Sequence, residues 1–188
     1  MAEKLAQRPS SLIKVVLFGP ESTGKTSLAE MLANHYDTFW VEEYMREYLQ
    51  EKWDKEQKVC EPKDMIPIAE GQMKRENKLA EKAKNLLISD TNLLELKVYS
   101  EAYYNGFCDT QLLKHALNSQ YDLYFLTYID VPWTPDDLRD KPDDREGMFR
   151  RFEEELIKHQ KPYVILKGDL IDRFNIAIEE IDKLLKNK

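Results

Sequence analysis

The sequence predicts a three-layer α/β fold built on a parallel sheet, and three observations carry the prediction. Short apolar runs alternate with helical patterns from Leu12 onward, the order that builds βαβ units and a sheet covered on both faces. Residues Gly19 to Thr26 read GPESTGKT, the full phosphate-loop signature, set between a β-branched strand and an amphipathic helix as that motif requires. Carboxylates stand at the ends of several strands, where open α/β sheets bind their ligands.

The chain has 188 residues, which suits one domain with a proper core. Its 28 basic and 35 acidic side chains leave a net charge of −7, so the basic footprint of a nucleic-acid binder is missing and any bound anion must be held by local geometry. Cys60 and Cys108 lack metal-ligand spacing and read as ordinary thiols of a reducing compartment. No apolar run approaches the ~20 residues of a membrane span, and the start lacks the apolar core of a secretion signal. The expectation is a soluble cytoplasmic protein without nucleic-acid or membrane partners, its oligomeric state left open.

Residues 1–11 are polar and unpatterned and are expected to be a flexible leader before a single domain over 12–188. Leu12 to Phe18 is the first strand. Gly19 and Gly24 then permit backbone angles that let successive amides turn inward around a phosphate. Lys25 supplies a mobile positive charge for the β- and γ-phosphates, Thr26 offers a hydroxyl to Mg²⁺, and the helix that follows points its positive end at the same anion. The expected nucleotide-binding set is therefore Gly19, Glu21, Ser22, Thr23, Gly24, Lys25, Thr26 and Ser27.

Leu28, Met31, Leu32 and His35 recur at the spacing of one buried helix face, so His35 reads as packed at a helix end. Thr38 to Val41 is a second strand that delivers Glu42, Glu43, Tyr44 and Arg46 at its carboxyl end. If a helix begins there, Glu43 and Arg46 face one cleft, with Glu43 taking the proton of an attacking hydroxyl and Arg46 steering substrate or phosphate; a solvated ion pair at a helix start is the other reading. Glu51 to Asp64, a charged stretch with Trp53, Cys60 and Pro62, reads as an insertion or as the top of the substrate-side region, and Ile68 to Asn85 as a surface helix.

Leu86 to Asp90 is a buried strand ending in a carboxylate. Asp90 is expected to hold Mg²⁺ beside Thr26, though it or Thr91 also suits a helix N-cap. Tyr99, Tyr103 and Tyr104 form an aromatic group that is either core or a stacking face for a planar ring. Leu112 to Leu117 is a short helix, and Tyr121 to Ile129 the fourth strand, ending at Asp130. The charge-dense segment that follows is expected to be a lid, about residues 132–151, whose Arg139 and Arg145 reach the transferring phosphoryl group. Met148, Phe149, Phe152 and Leu156 mark another buried helix face, and Tyr163 to Leu166 a fifth strand. Gly168, Asp169 and Asp172 open the last helix, with Asp172 either beside an adenine or simply a first-turn acid.

Taken together, GPESTGKT (19–26), EYMREY (43–48), DTN (90–92) and DVPWTPDDLR (130–139) resemble the ribosylnicotinamide kinase domain of the bacterial NAD-biosynthesis regulator proteins, over about Lys14 to Ala177 and with a similar Asp172, Arg173, Phe174 triplet. The resemblance implies a five-stranded P-loop NTPase fold of the nucleoside/nucleotide-kinase kind. It implies ATP and Mg²⁺ as cofactors and phosphorylation of the 5′-hydroxyl of nicotinamide riboside. It also implies that Glu43, Tyr44, Arg46, Asp90 and Asn92 line the riboside side, with Tyr99, Tyr103 and Tyr104 near the positively charged ring. Asn92 departs from the pattern, since the family often has an acid there. On this reading Lys25, Glu43, Asp90, Arg139 and Arg145 are the catalytic set, Glu43 being the first choice of base and Asp90 the second. Another nucleoside or deoxynucleoside kinase, or a module that senses ATP and a pyridine nucleotide without turnover, are the alternatives. A GTPase switch is disfavoured because no NKxD motif occurs: Asn77 and Lys78 are followed by Leu79 and Ala80.

Overall fold

Alternation along the central strands sorts the core into two halves. The structure, a computed structural model, describes residues 2–133 and 144–188. Strands β1 (Ile13–Phe18), β2 (Phe39–Val41), β3 (Leu86–Asp90), β4 (Leu123–Thr127) and β5 (Tyr163–Leu166) form one parallel sheet in the order β2-β3-β1-β4-β5. Because successive side chains point to opposite faces, Val16, Phe18, Tyr124 and Leu126 pack against α3 (Met65–Ala80), α4 (Leu93–Tyr103), α5 (Thr110–Asn118) and α6 (Arg145–Lys158). Val15, Leu17, Leu123 and Phe125 pack against α1 (Lys25–His35) and α7 (Leu170–Lys186). The expected three-layer P-loop fold is present. Strands this thoroughly covered are predominantly apolar, as β1 and β4 are, with Lys14 and Thr127 the buried exceptions.

Register positions the site. Leu17 lies opposite Asp90 and Val41 opposite Ser89, so β1, β3 and β2 run out at one level and release Gly19, Asp90 and Glu43 along the same edge.

Four local expectations need correction. Residues 2–8 are not a loose leader: Ala2–Leu5 forms a 3-10 turn, Leu5 is buried in the core, and Gln7, Arg8 and Ala6 hydrogen-bond Glu76 and Asn77 of α3. Helix α3 is not a wet surface helix. Met65, Ile68, Ala69, Gln72, Met73, Glu76 and Asn77 form a buried stripe, in which Glu76 pairs with the buried Lys14 of β1 at 3.0 Å and accepts the Tyr121 hydroxyl at 2.5 Å. It ends at Ala80 rather than Asn85 because the Lys82 and Ala83 amides both turn back to Leu79 O. The stretch 51–64 is not an insertion at its start, since α2 (Tyr44–Glu56) runs through Trp53. The fourth strand is shorter than Tyr121–Ile129. Among the described residues, no helix is long and apolar enough to cross a membrane.

Candidate active site

The phosphate loop takes the shape its glycines allow. Gly19 has φ 138° and Gly24 φ 80°, and a Cβ on Gly19 would sit 2.7 Å from Thr127 Oγ1 on β4, so neither the angle nor the space admits a side chain at Gly19. Thr23 braces the loop from inside, donating to Pro20 O at 2.7 Å and meeting Thr127 Oγ1 at 2.7 Å. Lys25 folds back beneath the loop, its ammonium on Gly19 O at 2.8 Å and Pro20 O at 2.9 Å. Burial alone would draw Lys25 down, but Glu95, Glu43 and Asp90 surround it and hold its pKa above the ordinary value.

On the neighbouring strand the Asp90 carboxylate is buried, accepts from Thr26 Oγ1 at 2.6 Å through Oδ2, and has no hydrogen-bond partner on Oδ1. Burial raises its pKa despite the opposing pull of Lys25 and of the Thr26 hydrogen bond. The turn after it is strained: Thr91, a β-branched residue, has φ 70°, with its amide on Leu17 O at 3.2 Å. A hydroxyl and a buried carboxylate oxygen without a partner make a donor set that fits Mg²⁺, which takes few protein ligands beside phosphates and water. Glu43 precedes α2 half-buried, and burial pushes its carboxyl up, Asp90 adding to the rise while Lys25 and Arg46 oppose it.

A cavity of about 710 Å³ opens from the loop. Its walls are loop residues Glu21 to Ser27, then Glu43 and Arg46 from the start of α2, and Tyr99, Tyr103 and Tyr104 of α4 and its C-cap. The structure thus brings together the loop, the first-choice base, the steering arginine and the aromatic group. Trp53, Lys58, Val59 and Cys60, from the stretch read as an insertion or the top of the substrate-side region, complete the wall together with Met45, Leu49 and Met65, which sequence reasoning missed. Trp53 had a signal once 44–56 is read as helix: Arg46, Leu49 and Trp53 then share a face at spacings of three and four.

Other expected site residues stand elsewhere. Tyr44 is turned from the cavity onto α3, where its ring fills the space above Gly71 and lies 4.8 Å from the Arg75 guanidinium. Asn92 caps α4, accepting the amides of Leu94 at 3.0 Å and Glu95 at 3.1 Å. Asp172 closes a capping box with Asp169 at the start of α7. Asp90 sits behind Thr26 rather than on the cavity wall, which favours a metal role over that of base. Arg145 reaches Val131 O at 2.9 Å and Ser22 O at 3.3 Å, so it meets the back of the loop. Arg139 and half of the expected lid, residues 134–143, lie outside the described residues.

Two buried charges went unassigned. Glu95 is 2% exposed and accepts the Gly19 amide at 3.4 Å while pairing with Lys25 at 3.3 Å. Arg173 is also 2% exposed, donating to Thr23 O of the loop at 2.6 Å, to Gly168 O at 3.0 Å and to Tyr128 O at 2.9 Å, and pairing with Asp130. It ties α7 and the end of β4 to the phosphate loop.

A family model described as an AAA domain matches residues 14–173. The trifunctional NAD biosynthesis/regulator protein NadR of Salmonella typhimurium is 25% identical over 95% of this chain, which spans 44% of that protein. A crystal structure of NadR in complex with NR superposes with TM-score 0.77 at 21% identity, over 92% of this chain and 51% of that one. Deoxyadenosine kinase from M. mycoides gives TM-score 0.69 at 15% identity, over 91% of this chain and 100% of that one. This chain therefore spans about half the length of NadR. With the match running nearly from end to end, the resemblance read from the motifs holds: the chain is NadR-like and belongs to the AAA domain family.

Proposed function

We propose that this chain is an ATP-dependent kinase that phosphorylates the 5′-hydroxyl of nicotinamide riboside, giving nicotinamide mononucleotide. One observation carries the reading: Glu43, the phosphate loop and four aromatic side chains, Trp53, Tyr99, Tyr103 and Tyr104, share one cavity. Its volume of about 710 Å³ suits a nucleoside-sized ligand. A nicotinamide ring carries a positive charge, which electron-rich aromatic faces favour, and NadR, similar in sequence and fold, is known in complex with NR.

In this reading the loop amides and Lys25 hold the triphosphate of ATP. Glu43 accepts the proton of the acceptor hydroxyl as its oxygen bonds to the γ-phosphorus, and the bond to ADP breaks. The raised pKa of Glu43 suits that role, because a base is most effective when its pKa lies near the working pH. Thr26 and Asp90 would hold Mg²⁺, whose charge would neutralise the β- and γ-phosphate oxygens. Arg46, at the cavity mouth, steers the acceptor or the phosphate.

Incubating the protein with ATP, Mg²⁺ and nicotinamide riboside is expected to give the mononucleotide by mass spectrometry, and Lys25→Ala is expected to abolish it in a folded protein. No product from the wild type would overturn the substrate assignment. A deoxynucleoside kinase is the second reading, favoured by a fold match that spans the whole of a deoxyadenosine kinase. A panel of uridine, thymidine, deoxyadenosine and nicotinamide riboside separates the two.

A further inference from the structure

Helix α4 begins with an acid in an unusual place. Glu95 occupies the position from which a glutamate normally reaches back to the amide of its own N-cap. Here the Asn92 side chain caps the helix alone, and the Glu95 carboxylate leaves it, crossing to the phosphate loop. One oxygen accepts the amide of Gly19, the first residue of the loop, and the other faces the Lys25 ammonium. That second oxygen is buried and makes an ion pair at 3.3 Å that falls short of a hydrogen bond. The helix residues from Leu93 to Ser100 are buried, and among the described residues the polar contacts of the Glu95 carboxylate are Lys25 and the Gly19 amide. A buried carboxylate is costly and persists only when paired.

Glu95 does not act on the acceptor directly, for it lies behind the cavity wall, whereas Glu43 and Lys25 are part of that wall. What it touches is the first residue of the loop and the cation that must reach the phosphates. Lys25 is at present held by Gly19 O, Pro20 O and Glu95, all on the inner side of the loop.

We propose that Glu95 is a positioning residue of the phosphate loop, which restrains Lys25 so that the ammonium meets the transferring phosphoryl group fully only in the transition state. A lysine free to collapse onto bound ATP stabilises ground state and transition state alike, and uniform binding does not raise the turnover rate. A carboxylate that competes for the same ammonium withholds part of that ground-state binding. The proposal rests on the kinase reading for its kinetic half only; its binding half needs no acceptor.

Glu95→Gln keeps the shape and the acceptor for Gly19 but removes the charge. In kinetics and titrations run near pH 9, above the value of about 8 to which burial raises the Glu95 carboxyl, the variant is expected to lower kcat about tenfold, to lower KM for ATP about threefold, and to leave KM for the acceptor within about twofold. Loss of properly folded enzyme would lower kcat without tightening ATP. The binding arm is calorimetric titration of AMP-PNP with Mg²⁺: Glu95→Gln is expected to tighten affinity about threefold in the wild type and not at all in a Lys25→Met background, because the effect runs through the lysine. Unchanged kcat and ATP affinity, an effect falling on the acceptor KM, or an equal gain in both backgrounds would each overturn it. Should Glu95→Gln fail to fold, Glu95→Asp, which retracts the charge from Lys25, is expected to shift the same quantities in the same direction. If the wild type phosphorylates no alcohol, the kinase reading alone fails, and the AMP-PNP cycle still decides the role of Glu95.

Discussion

Thr26 Oγ1 donates a 2.6 Å hydrogen bond to Asp90 Oδ2, joining the first turn of α1 to the end of β3. The bond aligns a hydroxyl with a carboxylate whose other oxygen is buried and unpartnered, the arrangement from which the Mg²⁺ role was argued. Asp90→Asn keeps the shape and loses the charge, and Thr26→Ala loses the hydroxyl. Both are expected to reduce turnover at least about a hundredfold, the scale on which electrostatic groups of an active site act. Raising Mg²⁺ is expected to recover part of the Thr26→Ala loss but little of the Asp90→Asn loss. Turnover measured across a Mg²⁺ series checks this, and two variants with wild-type Mg²⁺ dependence would remove the pair from the metal site.

Glu43 is held above the ordinary carboxylate pKa, first by burial and then by Asp90. A base must be unprotonated to act, so the raised value moves the acid limb of the pH profile upward. The kcat/KM for the acceptor is expected to fall on acidification at a pH above ~4.3, the unperturbed glutamate value. Glu43→Gln is expected to cost about a hundred- to ten-thousandfold in kcat and to flatten that limb. A profile that keeps the same limb in Glu43→Gln would move the role of base to another residue.

How much of this was legible follows from where each signal lies along the chain. The phosphate loop is a local motif, and Glu43 and Asp90 announce themselves by ending strands, so adjacent residues sufficed. Glu95 is hidden because its helix neighbours are apolar and its partner, Lys25, lies in a distant element. The same holds for Glu76 and Lys14, each of which looks like a solvated charge until the strand and α3 meet. Tyr44 was misjudged because its neighbours Glu43 and Arg46 do face the cavity, while one helical step of about 100° turns Tyr44 onto α3. Trp53 was lost in a charged stretch whose helix was not recognised. Pairings between distant elements leave no mark in either local sequence, whereas the phosphate loop is written in one.

Arg173 makes its hydrogen bonds from a site 2% exposed, and its loss would leave the carbonyls of Thr23, Gly168 and Tyr128 short of a donor and Asp130 without its cation. Breaking a buried pair by removing one partner costs about 3–5 kcal/mol. Asp130 keeps some solvent, with 29% of its side chain exposed, so the lower end applies. Arg173→Ala is therefore expected to lose about 3 kcal/mol in urea unfolding, with a lower midpoint at unchanged slope. Arg173→Lys keeps the charge but not the fork of donors and is expected to recover only a minor part. A wild-type midpoint in Arg173→Ala would show that the clamp adds nothing.

Burial raises the Glu95 carboxyl to about 8, against the partial counter-pull of Lys25. An acid whose folded pKa exceeds its unfolded one binds more protons when folded, so between the two values stability falls as pH rises. For Glu95 that window runs from the unfolded value of about 4.3 to about 8. Below it the carboxyl is protonated in both states and costs nothing; above it the ionised form bears the full burial penalty. Glu95→Gln removes the titration altogether. Its melting temperature is expected to match the wild type near pH 5 and to exceed it near pH 8.5, even as its turnover is lower, the compromise between stability and activity common at functional sites. Melting curves of both proteins across that range check the sign, and a variant less stable at high pH than at low, relative to wild type, would mean that the Lys25 pairing outweighs the burial.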